Sequence, residues 1–359
     1  MRPPRRNDFT PADVLHSMRY RTLGRHTGLR VSEYALGTAG FGTSSGEDAR
    51  RVFRDFVDAG GTTIATSNIY RNGEAETLLG ELMGSDRDHY VVVTKYTGSA
   101  GENTHPGTTG NSRKTMMRSL EASLRRLNTD YVDVYMPHFP DQVTPAEEIM
   151  AGFEDLVRSG KIRYGGFSNF PAWRIAGAAA RADLLGMPRP ICIETEYSLA
   201  ERSADRELLP MAEAYGLGVL LYAPLAGGLL TGKYRRGETG RLSDRPSAME
   251  KYSHQTAVVD EVLAIAEETG QTAAGVALEW LRYRAGLAST PLIPVIGPRT
   301  TTQLGGYLQP VDLDVRHYQR LDKASALRMG APHDDVSGAL LNGYDGDRSL
   351  LDAPVVPPI

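Results

Sequence analysis

Residues 62–80, TTIATSNIYRNGEAETLLG, contain the pattern of one strand followed by one helix. An apolar rise ends in small residues, Tyr70 follows this turn, and Gly73 precedes a segment that carries Glu74 and Glu76 in its first helical turn. A short β-branched run followed by a helical period is typical of a parallel strand with its crossover helix. The stretch therefore predicts one βα unit.

Seven other short runs, rich in Val, Ile and Leu, repeat this pattern from about residue 34 onwards. Together the eight candidate strands are YALGTAG, TTIATS, YVVVTK, YVDVYMP, YGGFS, ICIET, GVLLYAP and LIPVIG. Amphipathic segments such as KTMMRSLEASLRRL lie between them, with apolar residues that recur at intervals of three and four. Eight βα units without a dividing linker predict an α/β protein with a single (β/α)8 TIM barrel.

A doubly wound dinucleotide-binding fold is the main alternative, and the glycine spacing argues against it. That fold requires G-x-G-x-x-G after its first strand, whereas Gly37, Gly40 and Gly42 in GTAGFG are spaced differently. Residues 18–34, MRYRTLGRHTGLRVSEY, predict a β-hairpin that plugs the bottom of the barrel. We therefore expect an N-terminal extension over residues 1–18, the barrel over 19–330, and a C-terminal tail over 331–359.

Composition limits the classes of partner. With 40 basic and 44 acidic residues the formal net charge is −4, which offers no basic field for nucleic acid. The only cysteine, Cys192, allows no intrachain disulfide. No stretch approaches the roughly 18 apolar residues of a membrane span, and the basic N-terminus lacks a signal-peptide apolar region. These features predict a cytoplasmic protein without a membrane partner; a homo-oligomer remains open.

Titratable or hydrogen-bonding side chains follow nearly every candidate strand, where the carboxyl ends of barrel strands form an active site. In chain order these positions are Ala65 with Tyr70, Lys95, His138, Ser168 with Asn169, Glu194, Tyr222, and the GPRT segment from Gly297 to Thr300. A lysine ammonium lowers the pKa of a neighbouring tyrosine from about 10, and imidazole can hydrogen-bond a substrate oxygen. Tyr70, Lys95 and His138 therefore predict a proton donor for a carbonyl that accepts hydride. No metal site is expected.

Two other segments suggest how a hydride carrier would bind. Residues 223–234, APLAGGLLTGKY, form a glycine-rich turn suited to a pyrophosphate. The turn reads G-x-x-x-x-G-K from Gly227 to Lys233, but Tyr234 stands where a P-loop needs Ser or Thr, which argues against a nucleotide hydrolase. In the second segment, IGPRTTTQL, Arg299 and Thr300 could hold a phosphate near the start of the next helix.

From about Tyr20 to Asp314 the chain resembles the aldo-keto reductase superfamily, and most of all its microbial aryl-alcohol-dehydrogenase-like branch. The resemblance rests on several blocks in the right order, including NIYRNGEAETLLGELM, VVVTKYTG, SLEASLRRLNTDYVDVYMPHFPD, LVRSGKIRYGGFSNFPAW and LIPVIGPRTTTQL. It implies an NADP(H)-dependent oxidoreductase that reduces an aldehyde or ketone of a small molecule. In that role Tyr70 is the proton donor, Lys95 tunes it, and His138 orients the carbonyl.

The resemblance also implies a set of cofactor-binding residues. Tyr222 would stack on the nicotinamide, and Ser168 and Asn169 would hold its carboxamide. The turn containing Leu225, Gly227, Gly228 and Lys233 would fold over the pyrophosphate, assisted by the segment from Gly297 to Thr300. Arg299 would bind the 2′-phosphate, with Gln303 near the adenine.

Three positions depart from the family pattern. Ala65 replaces the aspartate that pairs with the lysine, Glu194 replaces a glutamine that touches the carboxamide, and Tyr307 replaces an asparagine near the adenine. Without a counter-ion a buried Lys95 would tend to lose its proton and assist Tyr70 poorly. Glu194 could compensate by reaching Lys95, or it could stabilise the oxidised cofactor ring; the sequence leaves both open.

These departures leave three hypotheses for function. The first is an NADPH-dependent reductase acting on a carbonyl of a specialised metabolite. The second is a non-redox acid–base enzyme that catalyses dehydration, isomerisation or cyclisation, and the third is a cofactor-binding protein with little turnover. Residues 96–114, residues 235–254 and the tail after Met329 are expected to rim the pocket and determine the substrate.

Overall fold

Eight parallel strands close into a barrel in the computed structural model, which describes residues 18–42, 46–101, 104–243, 250, 253–343 and 346–350. The N-terminal extension up to residue 17 and the end of the tail from residue 351 lie outside the described residues. The strands are β1 (Tyr20–Thr22), β2 (Arg30–Ser32), β3 (Ala35–Gly37), β4 (Thr63–Ala65), β5 (Val91–Tyr96), β6 (Val132–Pro137), β7 (Ile162–Ser168), β8 (Pro190–Glu196), β9 (Gly218–Tyr222) and β10 (Leu292–Ile296).

Barrel closure confirms the fold predicted from the sequence. Strands β3 to β10 pair with their chain neighbours, and β10 also pairs with β3 through Val295 with Ala35 and Ile296 with Leu36. Each of the eight runs identified in the sequence overlaps one of these strands. Because all the strands are parallel, their carboxyl ends lie on one face of the barrel.

The N-terminal hairpin closes the opposite end of the barrel. Strands β1 and β2 are antiparallel, and fully buried Leu23 and Val31 belong to one apolar cluster with barrel residues such as Val91 and Leu220. Gly24 lies in the turn with a φ of 99°, and a Cβ there would lie 2.8 Å from the carbonyl oxygen of Gly216. Only glycine allows the hairpin to approach the barrel so closely.

Helices cover the outside of the barrel. They are α1 (Gly46–Asp58), α2 (Glu74–Met83), α3 (Arg113–Leu127), α4 (Ala146–Arg158), α5 (Ala172–Leu185), α6 (Leu208–Tyr215), α7 (Ser253–Thr269), α8 (Ala273–Leu287), α9 (Thr301–Leu308), α10 (Val315–Ala324) and α11 (His333–Leu341). In α3 the Ser112 side chain accepts a hydrogen bond from the Thr115 backbone, which caps the first turn. Leu120, Leu124 and Leu127 bury one face of this helix.

Glu76, which belongs to residues 62–80, connects α2 to β5 and to α3. Its carboxylate is fully buried on α2, where it accepts a hydrogen bond from Thr94 Oγ1 at 2.6 Å and another from Arg126 Nε at 2.8 Å. A buried carboxylate is tolerated when its charge is paired and hydrogen-bonded. Because Thr94 precedes Lys95 on β5, this network fixes α2 and α3 next to the strand that presents Lys95.

Among the described residues, every helix is too short or too polar to span a lipid bilayer.

Candidate active site

A cavity of about 560 Å³ opens at the carboxyl ends of the barrel strands. The residues expected from the sequence that line it are Tyr70, Lys95, His138, Asn169, Glu194, Tyr222, Leu225, Gly227, Gly228, Lys233, Gly297, Arg299 and Gln303. Ala65 and Tyr307, two of the positions that depart from the family pattern, line the same cavity. The structure therefore brings the proposed catalytic and cofactor-binding groups, except Ser168 and Thr300, into one space.

This cavity contains a buried ion pair between Lys95 and Glu194. Lys95 Nζ donates one hydrogen bond to Glu194 Oε2 at 3.0 Å and another to the Thr66 carbonyl oxygen at 3.0 Å. Burial acts to lower the pKa of Lys95, but attraction to Glu194 and Tyr70 outweighs it, so the pKa is raised above its ordinary value. Of the alternatives that the sequence left open for Glu194, the structure shows contact with the lysine.

Tyr70 follows β4 and lies partly buried beside this pair. Lys95 Nζ lies 5.8 Å from the centre of the Tyr70 ring. Burial raises the pKa of Tyr70, and the nearby Lys95 charge opposes that rise without cancelling it. The lysine thus acts on this pKa in the expected direction, but burial has the larger effect and keeps the pKa above its ordinary value.

His138 lies at the end of β6, edge-on to Tyr70, with 5.8 Å between ring centres. Burial and then the Lys95 charge lower the pKa of His138 to about 3. The imidazole is therefore neutral around pH 7. Its Nδ1 lies 3.1 Å from Ser67 Oγ, a contact that the sequence did not suggest.

Asn169 connects the ends of three strands. Its Nδ2 donates to the His138 carbonyl oxygen at 2.9 Å and to Ser168 Oγ at 3.1 Å, while its Oδ1 accepts from the Tyr222 hydroxyl at 3.0 Å. Ser168 is fully buried and does not line the cavity. In this structure Ser168 therefore holds Asn169 in place and offers no surface to a ligand.

The glycine-rich turn after β9 forms part of the cavity wall. Gly228 has a φ of 97°, and a Cβ at this position would lie 2.7 Å from Lys233 Cε. The positive φ favours glycine at this position, and a side chain there would displace the end of Lys233. Lys233 faces the same space, and its pKa is lowered by burial and by the Arg299 charge.

The segment after β10 completes the cavity. Arg299 and Gln303 line it, and Gln303 Oε1 accepts a hydrogen bond from the Arg299 backbone at 2.8 Å. Thr300 lies outside the lining, where its hydroxyl accepts from the Gln303 backbone and caps α9. Thr300 therefore orders the start of this helix and does not contact the cavity.

Arg241 is a cavity residue that sequence reasoning did not single out. Its guanidinium lies 3.3 Å from the position a Cβ would occupy at Gly297, and its charge helps to lower the pKa of Lys233. The residue belongs to the 235–254 segment, which the sequence analysis had assigned to substrate recognition. Arg241, Lys233 and Arg299 together create a cationic region suited to phosphate groups.

Comparison with known proteins identifies the family. The model for the aldo/keto reductase family matches residues 34–326. The chain belongs to the aldo/keto reductase family. This match confirms the resemblance seen in the sequence.

Its relatives include the uncharacterized oxidoreductase YrpG of Bacillus subtilis, which is 38% identical over 309 residues, 83% of this chain and 92% of the relative. A putative voltage-gated potassium channel subunit beta of Schizosaccharomyces pombe is 36% identical over 288 residues, 76% and 83% of the two chains. The aryl-alcohol dehydrogenase (NADP(+)) of Phanerodontia chrysosporium is 29% identical over 360 residues, 93% and 91% of the two chains. The family match and the relatives named as an oxidoreductase and a dehydrogenase identify this aldo/keto reductase as an oxidoreductase.

The described part of the tail of this aldo/keto reductase does not rim the cavity, in contrast to the prediction from the sequence. Within its described residues, 331–343 and 346–350, no residue lines the cavity. Arg206 donates hydrogen bonds to the carbonyl oxygens of Arg328 and Met329, just before the tail. By contrast, Arg236, Glu238 and Arg241 from the 235–254 segment do line the cavity, as expected.

Proposed function

We propose that this protein reduces a carbonyl of a small molecule, a specialised metabolite, using NADPH. The observation that supports the proposal most directly is the buried Lys95–Glu194 pair in the cavity that also holds Tyr70 and His138. An acid–base site of this kind requires a charged lysine beside the tyrosine, and Glu194 provides the missing counter-ion. We infer that Glu194 replaces the aspartate that the family has at position 65.

The residues present fit a dinucleotide cofactor. Gly228 lines the cavity in a turn with a positive φ, and the cations Lys233, Arg241 and Arg299 line the same cavity. Arg299 can bind a 2′-phosphate through charge-assisted hydrogen bonds, which favours NADPH over NADH. The aryl-alcohol dehydrogenase among the relatives carries NADP(+) in its name. When bound, the nicotinamide would supply the hydride.

The chain's own residues would then handle the oxygen of the substrate. His138, neutral at pH 7, hydrogen-bonds the carbonyl oxygen and orients it. Tyr70 donates its hydroxyl proton to that oxygen, and the Lys95 ammonium stabilises the phenolate left behind. Glu194 keeps Lys95 protonated through Oε2, while Asn169 and Tyr222 present polar and aromatic surface to the nicotinamide.

The proposal is tested by following NADPH absorbance with a panel of aldehydes and ketones. Glu194→Gln should reduce turnover, whereas Glu81→Gln, which removes an exposed partner of Arg50, should leave it unchanged. Product formation without NADPH consumption would favour the acid–base hypothesis. Tight NADPH binding without chemistry on any substrate would favour the binding protein, and either result would overturn the proposal.

A further inference from the structure

A buried hydroxyl lies behind the imidazole of His138. Ser67, between β4 and Tyr70, is fully buried, and its Oγ lies 3.1 Å from His138 Nδ1. His138 itself lines the cavity. The ring therefore has one nitrogen held by the protein interior, and the properties of the other depend on which nitrogen carries the proton.

The single proton of the Ser67 hydroxyl has three acceptors within reach. His138 Nδ1 is the nearest at 3.1 Å, while Asn68 Oδ1 and the Lys95 carbonyl oxygen each lie at 3.4 Å. Hydroxyl hydrogen bonds to oxygen are normally 2.5–3.0 Å long, so both oxygens are poorly placed. The Lys95 carbonyl also accepts from the Asn68 backbone at 3.1 Å. The distances favour donation from Ser67 to Nδ1.

The charge of the surroundings rules out a doubly protonated ring. The Lys95 ammonium and burial both disfavour imidazolium, so His138 has one ring proton around pH 7. If Ser67 donates to Nδ1, that proton must be on Nε2. The opposite tautomer would leave the serine proton with a 3.4 Å acceptor.

We propose that Ser67 is a positioning residue that fixes His138 as the Nε2–H tautomer, so that the imidazole presents a hydrogen-bond donor to the cavity. The catalytic meaning rests on the proposed function, because a carbonyl oxygen needs a donor. In the other tautomer the ring would present a lone pair to that oxygen, which is repulsive. The buried Ser67 thus gives the neutral imidazole a hydrogen-bond donor on Nε2 without a second ring proton.

The test is nitrogen-15 NMR of the histidine rings in the full-length protein near pH 7.5, with the His138 signals assigned by their loss in His138→Gln. Wild type should show Nε2 protonated and Nδ1 as an acceptor. Ser67→Ala should raise the fraction of the Nδ1–H form, and Ser67→Thr, which retains a hydroxyl, should restore the wild-type ratio. Ser119→Ala, at a buried serine on α3, is the matched control and should change nothing.

Kinetics separate this inference from the proposed function. With a substrate that wild type reduces, Ser67→Ala should lower kcat/KM about tenfold or more, the usual minimum for a misplaced acid–base group, while NADPH affinity is retained. An Nδ1–H ring in wild type, or an unchanged tautomer ratio in Ser67→Ala, would overturn the inference even if carbonyls are reduced. Absence of carbonyl reduction by wild type would instead overturn the proposed function and leave the tautomer result standing.

Discussion

Lys95 and Glu194 lie 3.0 Å apart, nitrogen to oxygen, although they belong to β5 and β8, which two other strands separate in the barrel. The strand next to β5 ends in Ala65, which offers only a methyl group. The positive charge of Lys95 is therefore paired with a carboxylate from a strand that is not its neighbour. This arrangement makes Glu194 and Ala65 a testable pair.

Glu194→Gln should lower kcat/KM for carbonyl reduction by roughly 10- to 100-fold, because an unpaired buried ammonium tends to lose its proton. The double variant Glu194→Gln with Ala65→Asp should recover much of the lost kcat/KM, because Asp at position 65 supplies a carboxylate from β4. Ala65→Asp alone should leave turnover unchanged or lower it, since two carboxylates would then compete for one lysine. A clear rise with Ala65→Asp alone would show that Glu194 does not serve as the counter-ion. Steady-state kinetics of the three variants provide the comparison.

The lowered pKa of His138 predicts that the free energy of unfolding decreases as the pH falls. Its folded pKa of about 3 lies below the ordinary 6.5, so the unfolded chain binds a proton first as the pH falls. The contribution of neutral His138 is present above pH 6.5 and is lost on acidification towards pH 3. Urea unfolding should show wild type losing up to about 1.4 kcal/mol more per pH unit than His138→Gln in this window. Parallel curves would contradict the burial of the ring.

Cofactor preference should depend on Arg299. NADPH should bind at least about tenfold more tightly than NADH, since a charge-assisted hydrogen bond contributes about 1.5–3 kcal/mol. Arg299→Ala should reduce that ratio, and Arg241→Ala should weaken both cofactors because its guanidinium lies beside Gly297. Arg316→Ala, on the exposed side of α10, serves as the control. Titration calorimetry that finds equal affinities in wild type would refute the assignment.

Gly228→Ala should weaken NADPH binding, because the added methyl would lie 2.7 Å from Lys233 Cε on the cavity wall. Gly237→Ala is a matched control: Gly237 also has a positive φ, 74°, but a Cβ there would meet nothing within 4 Å. Both variants carry similar backbone strain, on the order of 1 kcal/mol. Equal losses of affinity in the two variants would mean that backbone strain, and not displacement of Lys233, is responsible.

The barrel and most of the predicted residues that line its cavity were accessible from the sequence because both follow from local patterns. Alternating apolar strands and helices predicted eight βα units, and the carboxyl end of each strand then located Tyr70, Lys95 and His138. These inferences need only the order of elements, since a closed parallel barrel places all its strand ends together.

Side-chain contacts between distant elements were not accessible. Lys95 and Glu194 are 99 positions apart, and whether the carboxylate spans the barrel depends on side-chain reach and not on pattern. Ser67 shows no signal beyond being a small residue in a turn. Arg241 lies in an irregular segment whose path over Gly297 depends on packing. The described part of the tail does not line the cavity as expected, and the bonds of Arg206 to the carbonyls of Arg328 and Met329 leave no trace in side-chain identity.

The hydrogen bond from the Tyr222 hydroxyl to Asn169 has a consequence for the rate of cofactor exchange. Tyr222 and Asn169 are each expected to touch the nicotinamide, yet here they hold one another at 3.0 Å. Every arrival or departure of cofactor would then break or remake this bond. Tyr222→Phe would remove this hydrogen bond and keep the aromatic face. Cofactor exchange would then be faster. The pause between successive turnovers would thus be set partly by a contact that takes no part in the chemistry.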